Sequence, residues 1–247
     1  MNPESSIKGI LFDVDGTLYH QGPVRIATLL VLACKYVLRP ITMWRSLRII
    51  RAYRSALEEL RRGNGSINPV QAQRERTAMA TGLPVNLVRD VIDEWMMKRP
   101  LRFLRFFSRR GMIEFIHQAR RQGFVLGAFS DYPCEEKLKF LGIYEYFSTV
   151  ASSYDEDILR FKPDPAGLLF CCRKLGLQPS EVVYLGDRVE VDGDSASQCG
   201  MQFVLLSGSR ASGAKRTDLV RVKSFGELAT RLLEQESLAG QRGNEND

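Results

Sequence analysis

The chain has 247 residues, 44% hydrophobic and 26% charged, with a formal net charge of +6. This ordinary globular profile excludes a collagen-like or disordered polymer, and the length suits one large domain or a core carrying a smaller insert. The five cysteines (Cys34, Cys134, Cys171, Cys172 and Cys199) are scattered and form no CxxC pair. Neither a disulfide framework nor a zinc site is therefore indicated, and a reducing cytoplasm is the expected setting.

The charge is unevenly spread. Residues 22–108 carry 16 Lys+Arg against 6 Asp+Glu, a net +10, so the remainder is mildly acidic. Such a split implies a basic insert on an acidic core.

Met1 to Ser6 is polar, and the short apolar run behind it reads as a buried strand and not as a signal peptide. Ile7 to Val14 is that strand, ending in a turn at Asp15-Gly16-Thr17. From about Gly22 to Ser108 the pattern is helical, broken at Pro40, at Gly63-Asn64-Gly65 and at Gly82-Leu83-Pro84. Its longest uncharged apolar stretch, Ile26 to Cys34, is well short of the ~20 residues that span a bilayer.

After Arg109-Arg110-Gly111 short strands alternate with helices. Helices are expected over Met112–Gln122, Glu135–Leu141 and Pro165–Leu175, and strands over Phe124–Phe129, Ser148–Ala151, Val182–Leu185 and Met201–Leu206. This alternation predicts a doubly wound α/β domain with a parallel sheet. The expected layout is an α/β core over 1–21 and 109–235, an inserted all-helical cap over 22–108, and a flexible tail over 236–247.

In open parallel sheets, ligands bind beyond the carboxyl ends of the strands. The first predicted strand ends in Asp13-Val14-Asp15, the second in Ser130-Asp131, and a later one in Gly186-Asp187, with Asp192 five residues on. Lys162 stands in Phe161-Lys162-Pro163-Asp164-Pro165, where a helix begins. Several carboxylates converging on one edge repel unless a cation lies among them. An oxygen-only ligand set suits a hard ion such as Mg2+. A lysine and a hydroxyl beside it would bind phosphoryl oxygens. His20 and His117 fit no triad or metal pattern and read as structural or surface residues.

DVDGTL at 13–18, Ser130, KPDP at 162–165 and GDRVEVD at 186–192 together resemble the four ordered motifs of the haloacid dehalogenase superfamily. In fold and helical insert the chain is similar to its phosphoglycolate phosphatase-like members with an α-helical cap. The resemblance implies a Rossmann-like parallel-sheet core and a Mg2+-dependent phosphatase. Asp13 would be the nucleophile that forms an aspartyl-phosphate, and Asp15 the general acid and base. Gly16, Ser130 and Lys162 would bind the substrate phosphate. The metal would be held by Asp13, the main-chain carbonyl of Asp15, Asp187 and Asp192. Val191 stands where many relatives carry Asn, which leaves Asp194 as a rival to Asp192, though spacing favours Asp192. An acid two residues after the nucleophile suits phosphatases and phosphomutases, not dehalogenases. A phosphomutase and a non-enzymatic binding protein are the alternative functions.

The insert resembles the family's cap, which closes over the site and reads the leaving group. Within it Arg45, Arg48, Arg51 and Arg54 recur every three residues, so successive side chains lag by about 60° and fan across half a helix. Met43, Ile49, Ile50, Tyr53, Leu57 and Leu60 fill the other half. The leading expectation is a solvated basic face; a second is contact with a polyanionic substrate. A third is contact of 43–60 with an anionic membrane or another protein, helped by Trp44. Nucleic acid is not favoured, because aromatic residues are not interleaved to stack bases. The expected partner is a small phosphorylated metabolite.

Overall fold

A computed structural model describes residues 7–63, 68–206 and 220–233. The tail expected over 236–247, and Asn64 and Gly65 of one expected break, lie outside these residues. Six parallel strands form one sheet in the order β3-β2-β1-β4-β5-β6. They are β1 (Gly9–Phe12), β2 (Val125–Ser130), β3 (Thr149–Ser152), β4 (Val182–Gly186), β5 (Gln202–Leu206) and β6 (Val220–Val222). The first five fall within two residues of the strands predicted. The sixth, only three residues long, has too little pattern to be read in advance.

Burial on both faces explains why these strands are apolar runs and not alternating ones. Successive side chains still point to opposite sides. Ile10, Phe12, Leu126, Ala128, Val183 and Leu185 enter one core cluster, whereas Leu11, Phe129, Val182 and Tyr184 enter another. Among the helices that cover these faces are α5 (Met112–Arg121), α6 (Glu135–Leu141), α7 (Ala166–Leu175) and α8 (Asp194–Gln198). Helices α6 and α7 stop at Gly142 and Gly176, both with the positive φ that closes a helix without a Cβ penalty.

Between β1 and β2 the chain is helical: α1 (Gln21–Lys35), α2 (Pro40–Arg62), α3 (Pro69–Thr81) and α4 (Val85–Ile92), then a wide turn over Asp93–Lys98 and a tight one over Arg99–Phe103. Pro40 opens α2, where its missing N–H costs nothing, and Asn68 caps α3 by accepting from Gln71 N at 3.0 Å. These helices share a core of their own, built on Leu32, Ile49, Ile50, Tyr53, Val88 and Trp95. The two connections to the sheet run side by side: His20 N donates to Phe107 O at 2.8 Å, and Arg109 N to Leu18 O at 3.0 Å. Gly22 and Pro23 fall inside the first turn of α1. Among the described residues no helix is long and apolar enough to cross a membrane.

The face of α2 differs from the solvated fan expected for it. Arg48 and Arg51 are exposed, with Arg48 over the Trp44 ring, and Arg45 is half-buried. Arg54 turns inward to line a cavity. It shares the helix side of Ile50 and Leu57, three or four residues away, and these are drawn to the interior.

Candidate active site

The order in which strands are added reverses between β1 and β4: from β1 the sheet grows outward through β2 and β3, then the chain returns to build β4, β5 and β6 on the other side. Such a switch point leaves a crevice beyond the strand ends. Asp13 leaves β1 there, its N–H donating to Leu185 O of β4 at 2.8 Å, and Asp187 leaves β4 beside it.

Asp13, Asp187 and Asp192 each present a carboxylate oxygen to one point, the three atoms lying within 4.8 Å of one another. Asp192 reaches it because its carboxylate accepts from the backbone N–H of Asp187 at 3.2 Å and of Arg188 at 3.0 Å. Among the described residues this acidic group includes Asp192 and not Asp194, which opens α8. Lys162 is buried among them, with Nζ 2.6 Å from Asp13 Oδ1 and 2.7 Å from Asp192 Oδ1. Thr17 donates to the other oxygen of Asp13 at 2.8 Å.

One ammonium against three carboxylates leaves two negative charges in excess. Burial, partly offset by Lys162 and reinforced by Asp192 and Asp187, raises the Asp13 carboxyl well above its ordinary range. Burial and Asp192 push Asp187 up to about 6. Lys162 is raised instead: the carboxylates outweigh its desolvation. At an effective dielectric of about 20, two like charges 4 Å apart cost about 4 kcal/mol, so a divalent cation held by oxygen alone is the natural complement. The donor set fits Mg2+.

Asp15 turns to a different set of partners. Its carboxylate receives Lys137 Nζ at 2.6 and 2.7 Å, Ser130 Oγ at 3.2 Å and the Tyr19 hydroxyl. Burial alone would raise it, but Lys137, Tyr19 and Ser130 outweigh burial and hold it below the usual carboxylate range. Gly16 follows with φ +105°, and a Cβ there would stand 2.1 Å from Asp187 Oδ2. The absence of a side chain is what lets the two loops meet. Arg109 clamps that turn, donating from Nε and Nη2 to Gly16 O at 3.0 and 2.7 Å.

The residues picked from sequence thus form two adjoining groups: Asp13, Lys162, Asp187 and Asp192 in one, Asp15 and Ser130 in the other, with Gly16 between. Lys137 and Tyr19 were not anticipated. Lys137 sits in Glu135-Glu136-Lys137, which reads as a solvated helix face, although Tyr19 is four residues from Asp15 and could have been suspected. Asp131, placed beside Ser130 at a strand end from sequence, was given no role there. It accepts from Lys162 N at 2.9 Å and Ser153 Oγ at 3.2 Å, and pairs with Arg61 of α2. His20 is exposed and His117 packs on the Tyr146 ring, away from both groups.

Between the insert helices and the strand ends lies a cavity of about 430 Å³. Its floor is Asp13, Asp15, Ser130, Lys162 and Asp187; its walls come from α1, α2 and the turns after α4.

The family model described as haloacid dehalogenase-like hydrolase matches residues 7–200. Glyceraldehyde 3-phosphate phosphatase of Methanopyrus kandleri is 38% identical over 98 residues, covering 38% of this chain and 41% of that protein, so the chain spans under half of that relative's length. Phosphoglycolate phosphatase of Yersinia pseudotuberculosis is 27% identical over 78% of this chain and 79% of its own. Among solved structures, a HAD phosphatase from Thermococcus onnurineus shares the fold with a TM-score of 0.62 at 22% identity, covering 92% of this chain and 98% of that one.

Proposed function

The chain belongs to the haloacid dehalogenase-like hydrolase family, and from that premise we propose that it is a Mg2+-dependent phosphatase acting through an aspartyl-phosphate on Asp13. The general activity, hydrolysis of a phosphoric monoester, is that of its phosphatase relatives. The observation that carries the finer proposal is the convergence of Asp13, Asp187, Asp192 and Lys162 on one point at the floor of a cavity.

Asp13, Asp187 and Asp192, with the main-chain carbonyl of Asp15, would hold the ion. When bound, Mg2+ neutralises phosphoryl charge and relieves the repulsion between the ester and an anionic nucleophile. Thr17 fixes one oxygen of Asp13 and leaves the other to attack phosphorus. The ester P–O bond breaks as the Asp13–phosphorus bond forms, and the alcohol leaves with a proton passed on by Asp15, which is ionised in the free enzyme and takes that proton from the monoprotonated ester. Water then attacks the same phosphorus, gives its proton to Asp15, and releases phosphate and free Asp13. Lys137 and Tyr19 orient Asp15 for both transfers, and Lys137 favours the ionised form that accepts the second proton. Ser130 and Lys162 steady the phosphoryl oxygens. Residues 22–108 act as the cap that excludes water and selects the leaving group.

The test is phosphate release from an aryl phosphate, with Mg2+ or with chelator. Wild-type protein is expected to turn over only with the metal, and Asp13→Asn to lose at least about a thousandfold in kcat. Turnover that survives Asp13→Asn would sink the proposed nucleophile.

A further inference from the structure

Resting on the phosphatase proposal, we infer that the leaving group of the natural ester is a long, largely apolar one that carries a second anionic group, paired by Arg25 and Arg54. A phosphoryl group occupies only the floor of a cavity of about 430 Å³, so most of the volume belongs to what leaves. Above the carboxylates the wall includes Leu29, Leu32, Ile50 and Leu57, a stretch of apolar surface with no hydrogen-bonding side chain of its own. A sugar phosphate, with a hydroxyl on each carbon, would leave those hydroxyls unpaired against that wall. An alkyl or aryl chain fits it.

Two guanidinium side chains, Arg25 and Arg54, line the same space, near enough for the charge of one to act on the other. Among the described residues neither Arg25 nor Arg54 forms an ion pair, and Arg54 Nε is closed off from solvent without a hydrogen-bond acceptor. Burial and the neighbouring charge of Arg25 both disfavour the protonated form of Arg54. Arg61, seven residues on, has its Nε equally closed off, and differs in that its other nitrogens have partners. Arg61 is spoken for by Asp131 and Glu58, and the Glu58 carboxylate is shared with Arg188. Among the described residues no carboxylate lining the cavity stands within ion-pair distance of Arg25 or Arg54. Arg54 is half-buried and Arg25 exposed; a second like charge beside a partly desolvated guanidinium is costly unless an anion completes the pair. Arg25 belongs to α1 and Arg54 to α2, whereas the carboxylates sit at the strand ends, so the second anion belongs on the part of the leaving group that faces the insert.

The experiment compares a six-carbon alkyl phosphate with its counterpart ending in a carboxylate, after each protein has been checked on an aryl phosphate. Wild type is expected to favour the carboxylate ester in kcat/KM by about tenfold or more, the range of a charge-assisted pair. The ratio should fall towards one in Arg54→Gln and recover in part in Arg54→Lys, which keeps the charge. A wild-type ratio of one or less, or a ratio unchanged in both Arg54→Gln and Arg25→Gln, overturns the inference. Calorimetric binding of the two esters to Asp13→Asn protein reads the same preference without turnover. Failure on the aryl phosphate would then count against the phosphatase, whereas equal binding of the two esters would count against the second anion.

Discussion

Gly16 is where the chemistry of a single residue is most exposed. Its φ of +105° is one that L side chains rarely adopt, and an added Cβ would fall on the Asp187 carboxylate at 2.1 Å. Two independent costs, backbone strain and a displaced Asp187 carboxylate, act together there. Gly16→Ala is expected to lower kcat/KM by about a hundredfold or more and to destabilise the fold by roughly 1–3 kcal/mol. Steady-state kinetics beside a thermal melt would check both; a variant with unchanged activity would show that the loops can separate freely. The need for glycine was readable from Asp-Gly-Thr after a strand. Its collision partner, 171 positions along the chain, was not.

At the scale of elements, the C-terminal end of α2 fastens the insert to the sheet with two pairs of unequal worth. Arg61 and Asp131 are both buried, so removing the cation strands a carboxylate away from water. Arg61→Ala is expected to cost about 3 kcal/mol or to detach α2, with faster hydrogen exchange in that helix as the readout. Glu58 and Arg188 are half-exposed, and their pair contributes no more than about 1 kcal/mol. Burial would raise the Glu58 carboxyl, but Arg188 and Arg61 outweigh it and hold it below its ordinary value of 4.5. A depressed carboxyl adds stability above that value and loses it as pH falls through the lower, folded one. Exchange in α2 should therefore quicken only below about pH 4.5, and Glu58→Gln should abolish that acid step. If the step persists in Glu58→Gln, another carboxylate governs it. The helices α2 and α6 were legible from their periodicity, while the residues each sends across to another element were not.

For the molecule as a whole, packing of helices on the sheet fixes where the strand ends meet. Helix α7 lies so close on β2 that a Cβ at Gly167 would stand 1.9 Å from the Phe129 ring. Alanine is the better helix former by about 1 kcal/mol, yet overpacking of a buried aromatic outweighs that gain. Gly167→Ala is expected to lower Tm by several degrees, measured by calorimetry; an unchanged or higher Tm would mean that α7 can shift outward without loss. The same closeness sets Lys162, just before α7, against Asp13 and Asp192.

The sequence by itself determined the parallel α/β core, the helical insert after β1, and the placing of Asp13, Asp187 and Ser130 at strand ends. Those features depend on periodicity and on what directly follows each strand, which are local signals. Only the tertiary structure decided that Lys137 holds Asp15 from 122 positions away, that Asp131 answers Arg61, and that Arg54 turns from the basic face into the cavity. A charged residue on an amphipathic helix looks the same in sequence whether it meets water or a distant partner. Which of these it meets is settled by how the elements pack.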